Sequence, residues 1–172
     1  MATLSTVDGE LYFTDEGAGP AVVFVHGTPS SSVEFRGVVS ALRGRARCVA
    51  IDHLGFGRSE KPAHADYSMA AHQARFAAAM EALALPDAVF VLHDFGAAIA
   101  LPWMLANPGR VRGVVLSNTF LWGVEGPMAW VLRFYATAPG RWLYRVANLS
   151  ARYLLPWAWG RHKPLDAETH AL

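Results

Sequence analysis

Val89-Phe90-Val91-Leu92-His93-Asp94-Phe95-Gly96-Ala97-Ala98 passes from an apolar strand pattern into a helix pattern through one sharp turn. Asp94 stands at the apex, where such a turn exposes its side chain. Gly96, two places later, is the small residue that lets the helix pack close to the sheet. A carboxylate held there can attack a saturated carbon and form an ester. A simpler role for an Asp at a helix start is to cap it, by accepting from the first-turn amides.

Working outward, short apolar runs alternate with longer helical patterns. Ala21–Val25 and Cys48–Ile51 read as buried strands, as do Ala88–Leu92 and Val111–Leu116; Leu11–Phe13, in a polar frame, reads as an edge strand. Residues 32–43, 66–84 and 96–106 carry apolar side chains at helical spacing, with Asp66 or Ser68 opening the second segment. Apolar strands alternating with helices predict a mostly parallel sheet covered on both faces. Ligand chemistry in such folds gathers at the carboxyl ends of the strands. The residues there are His26-Gly27-Thr28, Asp52-His53, His93-Asp94 and Ser117-Asn118.

Two further motifs stand on that edge. In His26-Gly27-Thr28-Pro29, Gly27 permits a tight turn that aims the Thr28 N–H inward, where it and the Phe95 N–H would form a two-donor oxyanion hole. Asp52-His53-Leu54-Gly55-Phe56-Gly57-Arg58-Ser59 lacks the third glycine of a dinucleotide fingerprint and the Lys-Ser/Thr pair of a phosphate loop. Ser59 reads as a hydroxyl that braces the loop. No motif implies an organic cofactor or a metal. His162, Asp166, Glu168 and His170 match no familiar ligand spacing and read as solvated residues.

Composition agrees with a packed globular domain. The 172 residues are 53% hydrophobic and 17% charged with a net charge of +1, against about 25% charged in an average globular chain. There is enough apolar surface to offset chain entropy, which excludes a disordered tail. The small net charge offers no field for steering nucleic acid. One cysteine, Cys48, permits no intrachain disulfide. The first twenty residues carry no basic and apolar leader pattern, and no apolar run approaches the ~18–20 residues that span a bilayer. A soluble, cytoplasmic location is expected.

The character changes after residue 121. Residues 1–121 carry a net charge of −2 and residues 122–172 a net charge of +3; five of the six Trp lie in the second segment. Its aromatics, interleaved with arginines and without a strand-like run, predict a helical lid. Two domains are therefore expected, 1–121 and 122–172.

Together HGTPSSSVEFR (26–36), DHLGFGRSEKP (52–62), HDFGAAIA (93–100) and NPGRVRGVVLSN (107–118) resemble the α/β-hydrolase superfamily. Within it they are most similar to the haloalkane dehalogenase and epoxide hydrolase branch. The resemblance is dense from residue 8 to about 121 and extends to the lid only in composition. It implies the α/β-hydrolase fold, a mostly parallel sheet flanked by helices with the beginning of a helical lid. It also implies an Asp94 nucleophile, a covalent alkyl-enzyme ester, an oxyanion hole of the Thr28 and Phe95 amides, and a small apolar substrate. Trp122, Trp130 and Tyr135 would line the pocket. Dehalogenases typically hold the departing halide with a Trp after the nucleophile and an Asn after His-Gly; here these are Phe95 and Thr28. That difference leaves epoxide opening, with lid tyrosines donating the proton, as the alternative. The family's water-activating His and its carboxylate partner follow later strands, so the resemblance places them beyond Leu172, with the carboxy-terminal part of the fold. The 172-residue chain alone is accordingly expected to be inactive, and a non-catalytic fragment or binding module is the competing reading.

Overall fold

The computed structural model describes residues 2–119 and 126–147. The chain divides into two compact units, Met1–Leu121 and Trp122–Leu172, treated separately below. In the first unit six strands form one sheet: β1 (Ala2–Thr6), β2 (Gly9–Glu16), β3 (Ala21–Val25), β4 (Arg47–Ile51), β5 (Ala88–His93) and β6 (Val111–Ser117). Three α-helices connect them: α1 (Arg36–Leu42), entered through a 3-10 turn at Ser32–Phe35, α2 (Met69–Leu83) and α3 (Phe95–Ala106). The order across the sheet is β1-β2-β4-β3-β5-β6. The β4-β3-β5-β6 block is parallel, and β1 and β2 are added antiparallel at one side.

The sequence reading of Leu11–Phe13 as an edge strand is corrected here. Those residues lie in β2, which is paired on both sides, by β1 and by β4. The edge is β1, whose Ala-Thr-Leu-Ser-Thr has too little apolar character to announce a strand. At the opposite edge β6 leaves Val114, Val115 and Leu116 half-exposed.

The parallel strands read as continuous apolar runs because both of their faces are covered. Val23, Val25, Phe90 and Leu92 pack beneath α2 and α3, while Phe24 and Ala50 face Phe35 and Val39 on the side of α1. Alternate residues of one strand thus serve opposite layers. α2 starts where Ser68 Oγ accepts from the Ala71 amide; Asp66 Oδ1 in turn accepts from the Ser68 amide. α3 contains Pro102, which lacks the N–H that would bond the Ala98 carbonyl four residues back. Gln73 of α2 fills the gap, donating from Nε2 to Ala98 O at 2.9 Å. The defect in one helix becomes its tie to the other.

Register places the chemistry. Val25 lies level with Ile51 on one side and Leu92 on the other, and His93 with Ser117. Strands β3, β4, β5 and β6 therefore end together, and the polar residues that follow them share one edge. α3 is seated directly on that edge: a Cβ added at Gly96 would lie 2.2 Å from Val25 O and 2.9 Å from His26 O. Both contacts are backbone, so neither can move aside cheaply.

In the second unit, α4 (Pro127–Ala136) and α5 (Ala138–Ala147) follow each other across Thr137. Thr137 Oγ1 accepts from the Gly140 amide, a side-chain cap for α5. Among the described residues no helix is long and apolar enough to cross a membrane.

Gly96→Ala is expected to lower unfolding stability by more than the about 1–3 kcal/mol of ordinary overpacking, since the added methyl meets backbone rather than side chain. Urea unfolding followed by circular dichroism checks it; an unchanged midpoint would show that α3 can retreat from β3.

Candidate active site

The turn between β5 and α3 holds Asp94 at φ 48 and ψ −122, a conformation that costs a non-glycine residue about 1–3 kcal/mol and persists only where its surroundings enforce it. Three contacts do so. The Asp94 amide donates to Ser117 O at 3.4 Å, the Ala97 amide donates to Asp94 O at 3.4 Å, and Thr119 Oγ1 donates to Asp94 O at 2.6 Å. The Asp94 side chain makes no capping bond to α3. Instead Oδ2 accepts from the Thr28 amide at 3.0 Å, and Thr28 Oγ1 lies 3.4 Å from the same oxygen. The capping role that the sequence leaves open is thus not the one the carboxylate performs.

Gly27 makes the approach possible. A Cβ there would lie 2.3 Å from Asp94 Cβ and 2.7 Å from Oδ2. Phe95 is the first residue of α3 and half-buried, so its amide belongs to the helix's first turn. Asp94, Thr28 and Phe95 are therefore brought together by β3, β5 and α3. Trp130 and Tyr135 lie on α4 in the second unit, where the Arg133 guanidinium sits 5.5 Å over the Trp130 ring and Tyr135 meets Phe134 edge-on at 5.5 Å. Trp122 lies outside the described residues, as do Asp166, Glu168 and both late histidines.

Around this centre several polar groups are buried for structural reasons. Asp52, 1% exposed, accepts from the Ser32 amide at 2.7 Å and the Arg58 amide at 2.8 Å. Ser59 accepts from the Tyr12 amide and donates to Asp52 O, which is the bracing role its position suggests. His26 donates from Nδ1 to Gly27 O at 2.7 Å, and its Nε2 accepts from the His53 amide at 3.0 Å. His53 Nε2 returns a bond to His26 O at 3.1 Å. A carbonyl only accepts and an amide N–H only donates, so this exchange requires neutral His26 protonated on Nδ1. The two rings lie 4.3 Å apart, and His72 meets His53 edge-on at 5.9 Å.

Burial holds His26 and His72 below the ordinary imidazole value and His53 well below it, with mutual repulsion adding to the effect at His53. His93, in contact with Glu34, is the opposite case. Its Nδ1 donates to Glu34 Oε1 at 2.9 Å, and that bond raises its pKa. Glu34 and Thr119 carry no sequence signal of their own. Glu34 lies inside a quoted motif without a recognisable partner spacing, and Thr119 follows a strand end that offers many polar residues. Among the described residues no group of three or more His, Cys, Asp or Glu side chains is arranged to hold a metal ion.

The family model for the alpha/beta hydrolase fold matches residues 20–161. Haloalkane dehalogenase 2 of Mycobacterium tuberculosis is 34% identical over 160 residues, covering 92% of this chain and 56% of the relative. The haloalkane dehalogenase of Agrobacterium fabrum is 35% identical over 116 residues, covering 67% of this chain and 38% of that protein. Among solved structures, haloalkane dehalogenase DatA from Agrobacterium tumefaciens superposes with a TM-score of 0.87 at 28% identity, over 99% of this chain and 60% of that one. The matches thus span between 38% and 60% of the length of these proteins.

The three depressed histidines predict acid sensitivity. Each binds a proton more readily unfolded than folded, so their contribution is complete above the unfolded value of about 6.5 and is lost as pH falls below it. His93 acts in the reverse sense, stabilising below about 6.5 and fading as pH rises through its higher folded value. With three groups against one, the urea midpoint is expected to fall between pH 7.5 and pH 5.5, and less steeply in His72→Phe. A flat profile would show that these imidazoles are charged in the folded state.

Proposed function

The chain belongs to the alpha/beta hydrolase fold family, and from that premise we propose that Asp94 is the nucleophile of a dehalogenase-like hydrolase. The observation that carries the reading is the strained Asp94 apex with the Thr28 amide already bonded to Oδ2. Since the Thr28 amide and hydroxyl both meet Oδ2, Oδ1 is the oxygen presented for attack. On a small alkyl halide, Oδ1 forms the new C–O bond as the carbon–halogen bond breaks, and the halide leaves with the bonding pair. The product is an alkyl ester of Asp94.

Hydrolysis of that ester explains why an oxyanion donor points at the nucleophile itself. Water adds to Asp94 Cγ, so negative charge develops on Oδ2, the atom that the Thr28 N–H holds at 3.0 Å. The Phe95 amide is the second donor in this reading. His26 and His53 are committed to backbone bonds and His93 to Glu34. None of these three imidazoles is thus assigned to activate the water, and on the family resemblance that base and its carboxylate partner follow later strands. The 172-residue chain is therefore expected to alkylate without turning over.

One observation favours the epoxide alternative. Phe95 has no side-chain N–H, and the Thr28 hydroxyl turns towards Asp94 Oδ2, so neither position provides a dehalogenase's side-chain donor to a departing halide. An epoxide releases no halide: its oxygen stays on the product and takes its proton from an acid, the role the resemblance gives to lid tyrosines. A binding module that never reacts is the remaining reading.

Intact-mass spectrometry separates them. Incubation with 1-iodobutane is expected to add one butyl group and release one equivalent of iodide, with no adduct on Asp94→Asn. An adduct from 1,2-epoxybutane alone, heavier by one hydroxybutyl group, moves the assignment to epoxide opening. Absence of either adduct on the folded wild-type chain leaves only the binding module.

A further inference from the structure

The Thr28–Asp94 bond belongs to a closed circuit of contacts. From Asp94 the chain steps back to His93, whose Nδ1 donates to Glu34 Oε1 at 2.9 Å. Glu34 Oε2 bonds the hydroxyl of Ser30. Ser30 in turn reaches Gly27 O, with its amide donating at 3.3 Å and Oγ lying 3.3 Å away. Gly27 O also accepts from His26 Nδ1 at 2.7 Å. The circuit closes because Gly27 C=O and Thr28 N–H belong to one planar peptide unit and point in opposite directions. Fixing the carbonyl on one side of that plane aims the N–H on the other, and its target is Asp94 Oδ2.

Glu34 is the side chain on which the two arms of the circuit converge. It stands in the 3-10 turn after β3, its side chain is 12% exposed, and it grips both the loop that carries Thr28 and the end of the strand that carries Asp94. Without it the two elements still meet through the sheet, but the peptide and the carboxylate lose their shared brace. We infer that Glu34, acting through Ser30 and His93, is a positioning residue that sets the Thr28 amide against the Asp94 carboxylate. This deepens the nucleophile reading and rests on it for its effect on reactivity. The geometry itself can be tested without that reading.

The test uses the 172-residue chain with two independent readouts. The first is the Thr28 amide proton shift in a 15N-labelled sample, with Asp94→Ala marking its position when the acceptor is gone. The second is the rate of butyl ester formation with 1-iodobutane by intact mass. Glu34→Ala is expected to move the Thr28 resonance towards its Asp94→Ala position and to slow alkylation about tenfold or more, the scale on which small misplacements of reacting groups act. Glu34→Gln, which can still accept from His93 and donate to Ser30 Oγ, is expected to restore both. A merely structural loss would not return with an uncharged amide that keeps the two bonds. A wild-type Thr28 shift in Glu34→Ala, or a Glu34→Gln no better than Glu34→Ala, overturns the inference. If the alanine variant does not fold, Ser30→Ala opens the same circuit and must move the Thr28 resonance in the same direction. If wild type takes up no butyl group, the nucleophile reading fails, while the amide shift still decides the positioning role.

Discussion

How closely α3 can approach the end of β3 governs the whole carboxyl edge of the sheet. At Gly96 the helix lies against the Val25 carbonyl with no room for a methyl group, and at Gly27 the β3 loop lies against the Asp94 side chain with equally little. Two glycines thus meet from opposite elements, each removing a Cβ exactly where the other element passes. The same close approach accompanies the Thr28 amide's reach to Oδ2 of Asp94. Asp94 is kept at φ 48 by this pinch together with the Ser117 and Thr119 bonds. The strain is local, and the surrounding core that enforces it is extensive.

A second constraint acts beneath the first. The peptide that aims at Asp94 is held from behind by a ring nitrogen of His26, a residue with no access to solvent. Its other nitrogen must accept from the His53 amide, so the bracing works only with a neutral ring. Burial supplies that neutrality, by making the charged form costly. The buried histidines, which by residue type alone invite assignment as bases or metal ligands, are better understood as neutral hydrogen-bond connectors. Their chemistry is spent on geometry.

The parallel strands and the three helices were legible because their signals are short-range. Apolar runs such as AVVFV and AVFVL have no other reading between glycine and proline turns, and Ser68 declares the start of α2. β1 was not legible, because its stability comes from pairing with β2 rather than from its own composition. The antiparallel placement of β2 was hidden for the same reason, since Leu11–Phe13 says nothing about its neighbours. At the site, Asp94 and Gly96 stand out through the strand-turn-helix pattern, and Thr28 through the His-Gly-Thr-Pro turn after Ala21–Val25. Glu34, 59 residues before its partner His93, did not. No local spacing encodes a contact made by the closure of a sheet, and only the fold reveals it.

The placement of Thr28 also bears on what the carboxylate is prepared for. A donor meant only to stabilise a leaving group would stand on the far side of the attacked carbon. Here both the amide and the hydroxyl of Thr28 meet Oδ2 of Asp94, the nucleophile of the proposed reaction. In that proposal the bond shares the charge of the carboxylate before reaction and leaves Oδ1 to attack. In the proposed ester the same atom is a carbonyl oxygen, and it would acquire full negative charge when water adds to Cγ. The bond therefore strengthens as the second step proceeds, which is the condition for a contact to accelerate chemistry rather than merely to bind. On the proposed reading, this donor serves the breaking of an ester of the Asp94 side chain. Differences at the leaving-group side, such as Phe95, would then alter which electrophiles can load Asp94 without altering how it is released.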